Sequence, residues 1–208
     1  LPAFEGAPVF ADHAREGLGS VRQLIGYIEQ PKLLADGAAG ATLRLLESEE
    51  WARAKLKAAA DAGTLTPMEL YEPDMWYRVM QVNLHAAWLL TRACLPLLRK
   101  SGDASIVFTT ADVGRQGRAY RGAYGVSCFG LEGLMQILAD ECATETRIRV
   151  NSLDPGAVRT GMRARAYPGE NPWTLPAPED IMPAYLYLLG PDSRGVNGQA
   201  LNAGDFLK

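Results

Sequence analysis

The chain has 208 residues, is 48% apolar and carries a formal net charge of −3, which is enough for one well-buried core within the size of a single domain. It has no block of like charge to serve nucleic acid or an anionic membrane surface. No apolar run approaches the roughly 20 residues of a membrane span, and the first residues lack the basic flank and apolar stretch of an export signal. The three cysteines, Cys94, Cys128 and Cys142, are widely spaced, fit no metal-ligand pattern and suit a reducing compartment, so a cytoplasmic, metal-free protein with a small-molecule or protein partner is expected.

In chain order, 7–11 reads as a strand, 17–30 as a helix, 32–35 as a second strand and 41–60 as a charged amphipathic helix. From Pro73 to about Lys100, apolar residues recur at helical spacing (Trp76, Val79, Met80, Leu84, Ala87, Trp88, Leu95), which predicts a long helix. Pro73 fits its first turn and Pro96 is expected to bend or tighten its last. The β-branched run 104–110 predicts a buried strand, followed by a loop rich in glycine and arginine.

A second long helix is predicted over 124–144. Its apolar residues Val126, Phe129, Leu131, Leu134, Ile137 and Leu138 form faces on two sides, a pattern for a helix buried on both. The run 148–153 gives another strand, stopped by Asp154-Pro-Gly156. A helix over 179–189 and a short strand over 198–202 complete the pattern. Strands alternating with helices indicate a parallel sheet covered on both faces. Residues 157–178, rich in Pro and Arg, are expected to form a flap over the carboxyl ends of the strands, where ligands bind in such folds.

Four pieces in register carry a resemblance: Val82-Asn-Leu84, the strand ending Phe108-Thr-Thr110, Gly122-Ala-Tyr-Gly-Val-Ser-Cys-Phe129, and Val150-Asn-Ser-Leu-Asp-Pro-Gly156 followed by Thr160. In order and spacing they resemble the short-chain dehydrogenase/reductase family, and 181–193 with 198–202 extend the likeness nearly to the end. The resemblance implies a Rossmann-type, doubly wound α/β domain over 1–208, well matched over 61–208. Residues 1–60 would be a degenerate and truncated nucleotide-binding half, shorter than usual by about one strand-helix unit.

The resemblance also assigns roles. Tyr124 stands where the family has its proton-donating tyrosine, but the lysine expected four residues on is Cys128, which supplies no fixed positive charge. The substrate-binding serine expected thirteen residues before the tyrosine is Ala111, whose methyl cannot donate. Asn83 matches the asparagine that organises a proton-relay water. At the nucleotide end Gly17 and Gly19 match the glycine-rich turn, while Asp12 and His13 replace its leading Thr-Gly and oppose a diphosphate. Asp61 opens the counterpart of the family's Asn-Ala-Gly. Pro155, Gly156 and Thr160 fall at family cofactor positions.

Scaffold positions thus persist while chemical ones change. The expected reading is a family member without hydride transfer and with no cofactor, acting as a structural or regulatory subunit. It would form a homo-oligomer, or a hetero-oligomer with an active relative, through helices 73–100 and 124–144. The alternatives are an active oxidoreductase of a small alcohol or carbonyl compound using NAD(P), and a cofactor-free lyase or ligand-binding protein that uses the old cleft.

Structural readings stand beside these roles. Tyr124 is more readily a packed relic than a catalyst, Cys128 a buried thiol rather than a nucleophile, and His85 a solvated or packed residue. Asp112 either replaces the lost serine as a polar group or bonds local backbone. Arg115, Arg118 and Arg121 either read an anion or stand in water, the larger share going to water. Trp76 and Trp88 are expected in the core or at a subunit interface.

Overall fold

The computed structural model describes residues 60–144 and 147–206, together with the backbone of 40–45. The elements expected over 7–11, 17–30 and 32–35, and the residues Asp12, His13, Gly17 and Gly19, lie outside the described residues.

The described strands form one sheet in the order β1 (Gly40–Leu45), β2 (Ala104–Thr109), β3 (Ile148–Asp154) and β4 (Ala200–Asn202). β2, β3 and β4 are mutually parallel, as the alternating pattern predicts. β1 differs twice: it takes up residues 41–45 of the segment expected to be helical over 41–60, of which 46–59 lie outside the described residues, and it runs antiparallel to β2, with Gly40 opposite Thr109 and Leu45 opposite Ala104. Helical spacing in a charged window is a local signal, whereas an unpaired edge of β2 offers a ladder of backbone hydrogen bonds that local propensity does not register.

Alternation along β2 and β3 divides the core between the two faces of the sheet. Ile106, Phe108, Ile148 and Val150 point to one side and pack against Ala87, Cys94 and Leu98 of one helix and Leu131, Met135 and Leu138 of another. Val107 and Leu153 point to the other side, against Ala184, Tyr185 and Leu188. These last belong to the helix Met182–Leu189, shorter at its start than the expected 179–189.

The long helix expected from Pro73 is present in two parts, α1 (Pro73–Met80) and α2 (Ala86–Leu98), joined without a break by a π-helical turn over Gln81–His85. Pro73 takes the first turn, where its missing N–H costs no hydrogen bond, and Pro96 lies in the last. The extra residue of a π turn rotates the side chains that follow it. Such insertions recur at functional sites; here the turn contains Asn83, which is fully buried. α3 (Gly122–Glu141) is the second long helix. α4 (Gly161–Ala166) lies within the 157–178 flap, and α5 is Met182–Leu189.

Opposite the strands' carboxyl ends, Arg149 on β3 is buried in an ion pair with Asp103, and Arg194 reaches the other oxygen of the same carboxylate at 3.3 Å. This pairing ties the amino ends of β2 and β3 to the segment after α5 and leaves the other end of the sheet for a site.

Candidate active site

The carboxyl ends of β2 and β3 and the amino end of α3 bring Thr110, Ala111, Asp154, Tyr124 and Cys128 into one region. On α3 the spacing of Tyr124, Cys128 and Glu132 puts all three on one helical face. Gly114, in the 3-10 turn Asp112–Gly114 after β2, lies against this helix: a Cβ there would stand 2.8 Å from the Cys128 carbonyl carbon. Only glycine permits that approach, which holds the loop bearing Ala111 and Asp112 against the tyrosine helix.

Tyr124 is half-buried and its hydroxyl shares a hydrogen bond with the Cys128 thiol. Burial pushes the Cys128 thiol up to about 12. The Tyr124 phenol is raised well above its usual range, first by burial and then by the neighbouring Cys128 and Asp154, with Arg121 pulling the other way. The Asp154 carboxyl is also raised by burial, against the Gly156 N–H that donates to its Oδ1 at 2.8 Å. Where the family resemblance calls for an ammonium beside the phenol, this region holds a neutral thiol, and Ala111 adds no donor.

Asn83 is committed within the protein. Its Nδ2 donates to the Asp61 carbonyl at 3.0 Å and to Ser127 Oγ at 2.9 Å, and its Oδ1 accepts from the Asp61 N–H at 2.8 Å. Ser127 Oγ in turn donates to the Tyr124 carbonyl at 2.8 Å. The amide therefore laces the segment at Asp61, the π turn and α3 together, with both of its donors used. Asp61 Oδ1 accepts from the Gly63 N–H at 3.0 Å, and Oδ2 meets Arg78 Nε at 2.8 Å.

The three loop arginines part company. Arg115 is not the solvated cation expected: it donates to Glu132 Oε1 at 2.9 Å, Asn202 Oδ1 at 2.7 Å and the Leu201 carbonyl at 3.0 Å. A branched guanidinium supplies several donors in one plane, so a side chain predicted for water becomes a cross-link to β4. Arg118 pairs with Asp112 at 2.5 Å on the surface, which takes up the carboxylate considered as a substitute for the lost serine. Arg121 stacks on the Tyr167 ring at 5.1 Å.

Thr160 caps α4, its Oγ1 accepting from the Arg163 N–H at 3.2 Å. Pro155 is half-buried, and Gly156 takes φ 72° in the turn closed by Asp154. His85 is exposed, with Nδ1 3.1 Å from Gln81 Oε1.

Two residues of this region had no role in the sequence reading. Glu132, 5% exposed, accepts from Thr110 Oγ1 at 2.7 Å and Ser152 Oγ at 2.5 Å as well as from Arg115, which joins β2, β3 and the loop to α3. The signal was present as a lone acid on the apolar face shared with Leu131 and Met135. Asp154 entered only as a strand stop, although an acid at the carboxyl end of a central strand already marks the site end of such a sheet. Among the described residues no cluster of His, Cys, Asp and Glu is placed to hold a metal ion, and no helix is long and apolar enough to cross a membrane.

Comparison with known proteins agrees with this architecture. The family model described as short chain dehydrogenase matches residues 56–171. The chain is similar to the Escherichia coli (strain K12) protein called uncharacterized oxidoreductase YciK, with 52% identity over 141 residues, 68% of this chain and 55% of that one. Among solved structures it is similar to a short chain dehydrogenase from Pseudomonas syringae, with 62% identity, TM-score 0.68, and 70% of this chain and 59% of that one covered. A Shigella flexneri short chain dehydrogenase solved with NADP shows 51% identity and TM-score 0.68, over 70% of this chain and 60% of that one. The chain spans about half the length of the curated relatives it matches.

Proposed function

The chain belongs to the short-chain dehydrogenase/reductase family, and on that premise we propose that it is a member that has lost hydride transfer and serves as a structural or regulatory subunit in the cytoplasm. The observation that carries this reading is the Tyr124–Cys128 pair. A phenol hydrogen-bonded to a thiol pushed up to about 12 lacks the cation four residues on that the family places there, and the pull of Arg121 is outweighed by burial, Cys128 and Asp154.

The described part of a dinucleotide site points the same way. Nothing at position 128 can hold a ribose as a lysine would, and Thr160 is spent on its helix cap. These residues do not fit the cofactor.

The subunit role draws on the outer faces of α2 and α3. Trp88, Val126, Phe129 and Ile137 are exposed there, while Leu131 and Leu138 fill the core. A helix apolar on both sides, with only one side buried in its own chain, suits a homo-oligomer or association with an active relative. The three free cysteines are all buried, in keeping with a reducing compartment.

A second reading, an NAD(P)-dependent oxidoreductase of a small alcohol or carbonyl compound, is favoured by the likeness to the Shigella flexneri protein solved with NADP and by the retention of Tyr124 and Asn83. Calorimetric titration with NADPH, together with hydride-transfer assays of the native chain and the A111S/C128K double variant, separates the two. The proposed reading expects no heat of binding at micromolar NADPH and no turnover from either protein. Micromolar NADPH binding, or a rate that rises by several powers of ten on restoring serine and lysine, would establish the oxidoreductase instead.

A further inference from the structure

The arginines around the cleft differ in what neutralises them. Arg115 is held by Glu132 and Arg118 by Asp112. Arg163, on the flap, is bound by both oxygens of Glu170 at 2.7 Å. Arg121 has no carboxylate within ion-pair distance among the described residues, and its side chain lies over the face of Tyr167.

That ring meets two cations, with the Arg163 guanidinium carbon 3.8 Å and the Arg121 guanidinium carbon 5.1 Å from its centroid. The flap therefore meets the amino end of α3 through one aromatic ring in contact with two cations, of which only Arg163 has a carboxylate partner among the described residues.

The backbone directs Arg121 to this place. It stands at the N-cap position of α3, where its carbonyl accepts the Gly125 N–H at 2.9 Å. It is flanked by two residues with positive φ, Tyr120 at 65° and Gly122 at 36°. Tyr120 is the one non-glycine residue with positive φ among those described, and bulky side chains rarely adopt that region. A Cβ at Gly122 would stand 2.3 Å from the ring of Tyr71. Arg121 precedes Tyr124 by three residues, so the two lie on neighbouring positions of the first helical turn.

We propose that Arg121, held against Tyr167 at the amino end of α3, forms an anion-binding subsite that takes small carboxylates whose other end reaches toward Tyr124. A planar guanidinium already stacked on a ring loses little freedom when a carboxylate pairs with its free edge, which makes it a better anion reader than a solvated chain. Arg121 at the N-cap and Tyr124 in the first turn share one end of α3, which places the cation within reach of a small molecule that touches the phenol. The subsite does not depend on whether hydride transfer is lost or kept, since it requires neither Ala111 nor Cys128 to act.

The test is calorimetric titration of the full chain, without nucleotide, using acetoacetate and its methyl ester as probes of one shape and different charge. The acid is expected to bind roughly tenfold or more tightly than the ester, and R121Q to weaken the acid by roughly 10- to 100-fold while leaving the ester unchanged. R121K, which keeps the charge without the fork, should fall between. R118Q, which removes the same charge from an arginine already paired with Asp112, should change the affinity less than about twofold.

Equal binding of acid and ester, no heat from acetoacetate up to about 10 mM, or equal losses in R118Q and R121Q would overturn the subsite. The acid-ester comparison uses the native chain, so it decides the matter even where a variant fails to fold. NADPH titration reads the loss of hydride transfer separately.

Discussion

Removing the carboxyl group of Glu132 tests whether the site rests on a buried polar anchor. In the native chain this group accepts from Thr110 Oγ1, Ser152 Oγ and Arg115 Nε at 2.7, 2.5 and 2.9 Å. Both hydroxyl-bearing residues are buried, whereas the Arg115 side chain is 27% exposed and keeps its bonds to Asn202 and Leu201. Glu132→Ala orphans two buried hydroxyls and leaves a cavity, but strands only part of a charge. The cost therefore falls at the lower end of what breaking a buried pair brings, about 3 kcal/mol.

For a chain of this size that loss lowers the melting temperature by roughly 6–12 °C. Glu132→Gln keeps Oε1 as acceptor for Thr110 and Arg115 and can donate to the Ser152 hydroxyl, so it should cost only about 1 kcal/mol. Urea denaturation followed by tryptophan fluorescence, with circular dichroism as a second probe, measures both. The reasoning fails if Glu132→Ala costs less than about 1 kcal/mol, or if the glutamine variant is as damaged as the alanine one.

Two further outcomes follow from the same geometry. Cys128, pushed up to about 12 by burial, is only about one part in ten thousand thiolate at pH 8. Iodoacetamide at that pH should therefore leave it unmodified by peptide mass spectrometry until denaturant is added, and ready alkylation of the native chain would contradict the buried phenol-thiol pair. The Asp154 carboxyl is raised by burial, so its ionised form is less favourable in the folded chain than in the unfolded one. That penalty is fully present above the folded value, shrinks as pH falls through it, and vanishes below the unfolded value of about 3.9. Asp154→Asn, which keeps an acceptor for the Gly156 N–H, should therefore stabilise the protein at pH 7 and not at pH 3.5. Equal effects at both pH values in urea melts would show that burial is not the cause.

Much of this molecule is legible from the chain alone because its information is local or periodic. The helices from Pro73 and around Tyr124, and the strands at 104, 148 and 200, follow from apolar spacing, β-branched runs and the stops at Asp154-Pro-Gly156. So do the identities that matter most for chemistry. A methyl at 111 and a thiol at 128 cannot do the work of a hydroxyl and an ammonium in any fold, and the register that exposes them lies within one loop and one helix.

Tertiary packing decided the rest. Whether Gly40–Leu45 becomes a strand depends on an edge of β2 about sixty residues away. Whether Arg115, Arg118 or Arg121 retains a free charge depends on which acids the fold brings within about 4 Å, and three similar residues in one loop carry no mark of it. Asn83 looks identical in sequence whether its amide faces a water or spends both donors on Asp61 and Ser127. Composition and spacing determine which groups a chain possesses. Only the closing of the sheet, the π turn and the flap determines which of those groups are already satisfied by one another, because hydrogen bonds and ion pairs are settled by distances between residues far apart in sequence.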